Sequence, residues 1–284
     1  MEFLTILLSS VLALVSPVGL VIDRTAENAI RSQFEKVEHL QVRVDNAPSY
    51  QLLQGKVERV RIAGRGLQLK QQDLSIAVLE LETDPIDLDP RSLGLRQPKL
   101  QRPFQAGVRL VLTQEHINQA LKSPELTASL RNLGISELGN ETDEPEQRYD
   151  FVNPRVEFLE NNRLRFQVKL TSGSVKPLTI TGESGLGVRL GRQIQLIEPG
   201  VYVNQEAVPN QLVSAIAASL SKQLDLRNMS GYGIQARLLK LKVSQNELEI
   251  AAFLRVEPSS RFLQNRRSSK SVRFVRSKSI THSI

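Results

Sequence analysis

The chain has no cysteine, no tryptophan and only three histidines in 284 residues. Without thiols it holds neither disulfides nor thiolate metal sites, and the sequence leaves the redox compartment open. His39, His116 and His282 are scattered and form no H-E-x-x-H pair, so the helical zinc-protease arrangement is absent. Acidic residues are missing from one whole region. From Pro258 to Ile284 there is none, while Arg261, Arg266, Arg267, Lys270, Arg273, Arg276 and Lys278 supply seven positive charges. Those seven equal the entire formal net charge of +7, so the remainder of the chain is balanced. Aromatic residues make up 5% of the chain against 40% hydrophobic residues overall, enough aliphatic material for one large domain.

What is present is mostly strand pattern. Val57, Val60, Ile62, Leu67 and Leu69 are threaded through charged residues between Gly55 and Leu69, which describes a half-buried strand, and Gly64 and Gly66 suit a bulge or bend within it. Phe104, Ala106, Val108, Leu110 and Leu112 alternate with other residues in the same way. Leu164, Phe166, Val168 and Leu170 alternate strictly with Arg163, Arg165, Gln167 and Lys169. With Arg155 to Glu160 and the Asn161-Asn162 pair they form a hairpin, and Leu239, Leu241, Val243, Leu248 and Ile250 around Ser244-Gln245-Asn246 repeat the design. The likeness of the two hairpins is no more than their shared amphipathic pattern requires.

Helices are expected between the strands. Thr113 is a suitable N-cap for Gln114 to Lys122, and Ser123-Pro124 restarts a second helix carrying Leu126 and Leu130 before Gly134. The longest helix is expected over Glu206 to Leu226, where Leu212, Ile216, Leu220 and Leu224 recur every four residues. Asp23 to Val37, with Ala26, Ala29, Ile30, Phe34 and Val37 on one face, reads as the helix that opens the domain. The acidic run from Ser136 to Asp150 is a surface loop; its spacing does not match a calcium-binding EF-hand.

The string Leu112-Thr113-x-x-x-Ile117-Asn118-x-x-Leu121-x-Ser123-Pro124-x-Leu126, together with the Gly55 to Leu69 strand and the Thr83-Asp84-Pro85-Ile86 turn, resembles the bacterial LmeA-like family. The likeness runs from about Asp23 to Val256. It implies a phospholipid-binding protein of the bacterial envelope with an α+β fold: a strongly curved antiparallel sheet wrapped around a long helix, related to the tubular lipid-binding domains. Under that resemblance Leu212, Ile216 and Leu220 are the candidates for contact with acyl chains.

The two ends carry the membrane signals. Phe3 to Ile22 is twenty uncharged residues, the length of a bilayer span, with neither a basic leader before it nor an A-x-A site after it, although Pro17 and Gly19 weaken a continuous helix. Retention as a membrane segment is expected over cleavage or burial. The division is therefore a hydrophobic segment or signal peptide at 1–22, the lipid-binding domain at 23–257 and a basic tail at 258–284. In the tail, Arg266, Arg267, Lys270, Arg273, Arg276 and Lys278 are candidates for an anionic membrane surface, each contributing about 1 kcal/mol there. Nucleic acid is the weaker partner, since no recognition motif accompanies the charge.

Catalytic patterns are nearly absent. Gly182-Glu183-Ser184-Gly185-Leu186 fails the nucleophile-elbow pattern at its last position, and Ser219-x-x-Lys222 lies on the long helix without its companion motifs. Asp84, Asp87 and Asp89 alternate with apolar residues as an edge strand would. No catalytic residue, metal site or cofactor is expected. Two function classes remain, both membrane-associated and expected in the bacterial cell envelope on its exocytoplasmic face: a phospholipid carrier with an apolar groove, or a membrane-tethered protein-interaction module with a filled core and no lipid cavity.

Overall fold

The computed structural model describes residues 28, 30–45, 49–70, 74–92, 99–123, 150–172 and 175–260. The hydrophobic segment 1–22, the restarted helix with Leu126 and Leu130, the acidic run up to residue 149 and the tail from 261 lie outside them. Within them the chain is predominantly antiparallel sheet.

Six strands form the first sheet, in the order β1 (Phe34–Asp45), β3 (Arg59–Leu69), β4 (Ser75–Thr83), β6 (Phe104–Thr113), β13 (Glu247–Val256) and β12 (Ile234–Val243). All its pairings are antiparallel. Rows such as Val42–Ile62–Leu81–Val108–Ala252 cross it strand by strand and put the apolar side chains on one face. That face is filled. Ile62, Leu67, Ile76, Leu79, Leu112, Ile234 and Leu254 have essentially no solvent contact, and Leu226 and Met229 of a 3-10 turn (Leu226–Tyr232) join the same cluster. A two-stranded ribbon, β2 (Lys56–Val57) with β5 (Ile86–Asp87), and the Leu88–Leu100 bridge close one end of it. The acid-rich DPIDLDP segment is thus a short strand with buried Ile86 and Leu88, as its alternation predicts.

The register of β3 with its neighbours runs past Gly64 and Gly66 without a shift, so the expected bulge is not formed, and the irregularity of the strand is a left-handed backbone at Gly66. Gly66 adopts φ +56°, a left-handed conformation costly for residues with a Cβ, and the Glu38 side chain lies where that Cβ would be. The expected opening helix is shorter than its pattern suggested. Asn28, Ile30 and Arg31 are helical, but the chain turns at Ser32-Gln33, and Phe34 and Val37 belong to β1, opposite Leu69 and Leu67. Strand pairing satisfies their backbone groups, which outweighs a helical spacing that is equally compatible with burial in a sheet.

The second sheet runs β11 (Glu206–Ala207), β10 (Gln193–Val203), β9 (Val175–Arg189), β8 (Arg163–Ser172) and β7 (Asp150–Leu159). Its tight turns, Asn161-Asn162, Leu190-Gly191 and Asn204-Gln205, all have positive φ at both central residues, the geometry that matches strand twist in two-residue hairpins. Both hairpins read from the sequence are formed, one in each sheet.

Helix α1 (Gln114–Ala120) starts where expected: the Thr113 hydroxyl accepts the His116 amide at 3.1 Å. Helix α2 spans Asn210–Gln223, four residues shorter at its start than the expected Glu206 to Leu226. Glu206 and Ala207 pair with Val203 and Tyr202 as β11, and Pro209 ends that strand and opens the helix. At the far end Leu224 caps the helix, and Leu226 already belongs to the 3-10 turn.

The sheets are joined by side chains that bond to exposed strand edges. From α1, Gln114 Oε1 accepts the Phe158 amide at 2.6 Å, while Asn118 accepts the Val156 amide at 2.6 Å and donates to its carbonyl at 2.9 Å. One helical turn thereby completes the edge of β7. At the other side Asn162 accepts the Val243 amide, the Gly191 carbonyl accepts the Leu238 amide at 2.7 Å, and the Arg192 carbonyl accepts the Leu226 amide at 2.8 Å.

Candidate functional site

The two sheets treat their apolar faces differently. In the second sheet, Val156–Phe166–Gly182–Val201 and Val168–Ile180–Val203 form cross-strand rows on one face. Val168 is buried, but Val156, Phe166, Ile180, Val201 and Val203 are only half-buried, as are Leu164, Leu178, Leu186 and Leu196. Within one of these rows stands Gly182, and a Cβ built there meets no atom of the described residues within 4 Å. Open space therefore lies directly over an apolar row. A face of this kind can take up hydrocarbon, because each methylene removed from water contributes about 0.8 kcal/mol and no buried polar group has to be desolvated.

Helix α2 packs along β10, the strand that borders this face. Of its apolar stripe only Val213 is fully buried; Ile216, Ala217 and Leu220 are half-buried and Leu212 is 51% exposed. The expected stripe exists, and it remains unsatisfied by packing within the described residues. Leu224, at the C-cap, does pack against the main core.

The opposite faces of both sheets are polar and laced with ion pairs. Arg109 bridges Glu80 and Glu249, with Lys240 also on Glu249 at 2.6 Å, and Arg165 bridges Glu157 and Glu183 across three strands. These contacts raise the Arg109 and Arg165 pKa values, through hydrogen bonds to Glu249 and to Glu183 first of all. Over the first sheet this polar face forms an open concavity of about 860 Å³, whose lining includes Arg43, Arg61, Ala63, Glu82 and Gly107. Its charges are largely consumed by one another.

The residues weighed for catalysis have structural partners or stand apart. Ser184 is buried and its hydroxyl donates to the Gly185 and Ile197 carbonyls, at 2.8 and 3.1 Å, where β10 bulges at Glu198-Pro199. Asp84 accepts the Gln105 amide and Asp89 accepts the Arg91 amide. His116 is held below the usual histidine range by burial, and its Nδ1 has no partner among the described residues. Also among them, no three His, Asp or Glu side chains converge on a metal position, and no helix is long and apolar enough to cross a membrane. The tail candidates Arg266, Arg267, Lys270, Arg273, Arg276 and Lys278 lie outside the described residues.

Sequence reading missed two things. Asn118 belongs to the string that carried the family resemblance, and its role is to complete the β7 edge. Leu239 was grouped with Leu241 and Val243 on one face, yet it is the extra residue of a bulge between Leu238 and Lys240 and stands 67% exposed. Neither has a local signal, since both depend on a strand supplied from elsewhere.

Comparison with known proteins gives one result. The sequence matches the LmeA-like phospholipid-binding family over residues 15–253, which is most of the chain, and the chain belongs to that family. No curated protein and no solved structure shows significant similarity to it.

Proposed function

We propose that this member of the LmeA-like phospholipid-binding family is a membrane-associated phospholipid carrier of the bacterial envelope, acting on the exocytoplasmic side in lipid transport or envelope maintenance. Acyl chains lie on the half-buried face of the second sheet, beside Phe166, Gly182 and Val201, and Ile216 and Leu220 of α2 cover them. Leu212 extends the contact at the exposed start of the helix. The observation that carries this reading is the open space over Gly182 inside an apolar row, in a family named for phospholipid binding. The first sheet is the scaffold. Its apolar face is already filled by aliphatic side chains, and a chain inserted there would displace packed residues at a cost of several kcal/mol.

The role is binding without chemistry, and it needs no metal or cofactor. In the finer architecture proposed for the fold, the sheet curves around helical elements and holds the cargo between sheet and helix. The hydrophobic segment 1–22 retains the protein at the membrane, and the basic tail 258–284 selects anionic lipid.

The test is to purify the full chain without detergent, extract it and identify bound lipids by mass spectrometry, then delipidate it and offer labelled phospholipid vesicles. Co-purified phospholipid and renewed uptake are expected. A folded, delipidated protein that takes up none contradicts the carrier role and favours a membrane-tethered interaction module.

A further inference from the structure

The turn between β9 and β10 is unlike the other tight turns of its sheet. Those place Asn161-Asn162 and Asn204-Gln205 in the left-handed region, where asparagine is well tolerated. This one places Leu190 there, at φ +53°, and leaves it 83% exposed. A large aliphatic residue at the tip of a hairpin is costly twice, in backbone conformation and in hydration. Leu239, 67% exposed, stands on the β12 bulge beside the same turn.

Four arginines surround Leu190. Arg189, Arg192, Arg227 and Arg237 line one recess of about 420 Å³ with it. Arg227 is paired with the buried Asp225 carboxylate, whose pKa is lowered chiefly by that hydrogen bond, so this pair is electrically neutral at pH 7. Among the described residues Arg189, Arg192 and Arg237 form no ion pair, although Arg192 acts through space on Asp225, so four guanidiniums face one carboxylate and three positive charges remain in excess around an exposed leucine. The support is rigid. The Gly191 and Arg192 carbonyls accept amides from Leu238 and Leu226, and the Arg237 stem lies where a Cβ on Gly191 would be.

We propose that this hairpin tip docks the protein on an anionic phospholipid bilayer: Leu190 and Leu239 enter the interface, and Arg189, Arg192 and Arg237 bind lipid phosphates. Guanidinium forks suit phosphate oxygens, and exposed apolar residues ringed by cations match an anionic interface better than a neutral one. The tip also ends the strand that carries the cargo face, although Ser184 is buried and Leu186 packs against the main core between Gly182 and the tip. Gly182, Ser184, Leu186 and Val188 alternate along β9, and Val188, 37% exposed, opens beside Leu239. The docking site therefore brings the end of β9 to the bilayer that supplies the lipid, and in that respect it rests on the carrier reading.

The natural absence of tryptophan supplies the probe. Full-length protein carrying Leu190→Trp is mixed with phosphatidylcholine vesicles that contain one third phosphatidylglycerol or none, with bromine on the acyl chains as a quencher. Blue-shifted, quenched emission is expected with the anionic vesicles only. Adding Arg189→Gln, Arg192→Gln and Arg237→Gln should raise the vesicle concentration needed by on the order of 100-fold, at unchanged thermal stability. Quenching that is equal in both vesicles, or absent although the protein sediments with them, overturns the proposal. So does a response to single-stranded DNA without one to vesicles. Bound phospholipid is measured on the same samples: cargo retained without docking overturns the docking site alone, and docking without cargo overturns the carrier reading alone.

Discussion

At the scale of single residues, a few polar side chains carry the assembly. Asn118 is the clearest, because both halves of its amide are spent on one backbone residue, Val156, at the open edge of the second sheet. Removing it leaves a partly buried amide and carbonyl without partners, which costs about 1–3 kcal/mol. Asn118→Ala should lower the urea midpoint correspondingly, and hydrogen exchange should accelerate first in β7. Unchanged exchange there would contradict the edge-capping role. The family string is therefore legible as a motif but silent as to purpose: Thr113 reveals its capping role through the residues that follow it, whereas the partner of Asn118 lies 38 residues away. The same limit hid the arginine cluster, whose members come from a hairpin tip, a 3-10 turn and the edge strand β12.

At the scale of elements, alternation was a reliable guide where one face is buried and the strand is regular. Phe104, Ala106, Val108, Leu110 and Leu112 all point into the core as their spacing predicts. It failed at Leu239, where a bulge shifts the phase by one residue; at Phe34 and Val37 it was a helical spacing that lost to strand pairing. For α2 the period is as expected, and periodicity reports which side is apolar and not how much covers it. That distinction is what makes the helix a candidate cover for lipid. Gly182→Leu fills the open space in the row between Phe166 and Val201, so it should reduce phospholipid uptake several-fold while leaving thermal stability unchanged or slightly raised. Ile216→Asp should abolish uptake through the cost of placing a charge against hydrocarbon, with a smaller loss of stability than the same change at a filled site such as Leu254. Uptake unaffected by both changes would remove the second sheet as the cargo surface.

At the scale of the whole molecule, one filled sheet supports one that is only partly covered among the described residues, and the family match covers residues 15–253. The proposed role assigns different tasks to the two ends. In 1 M salt the Debye length falls to about 3 Å, which suppresses phosphate contacts but spares hydrophobic insertion. Full-length protein should stay in the membrane fraction after such a wash, loss of residues 1–22 should make retention salt-sensitive, and loss of 258–284 should alter only the preference for anionic lipid. Complete release of the full chain by salt would contradict a retained hydrophobic anchor.

The central claim is that acyl chains rest on the second sheet under α2, and photochemical mapping addresses it most directly. Full-length protein loaded with a phospholipid that carries a diazirine near the end of one acyl chain is irradiated, digested and sequenced by mass spectrometry. Crosslinks are expected on β8 to β10 around Phe166, Ile180 and Val201 and on α2 around Ile216 and Leu220. Crosslinks confined to the six-stranded sheet, or none in protein that is folded and loaded, would contradict the account.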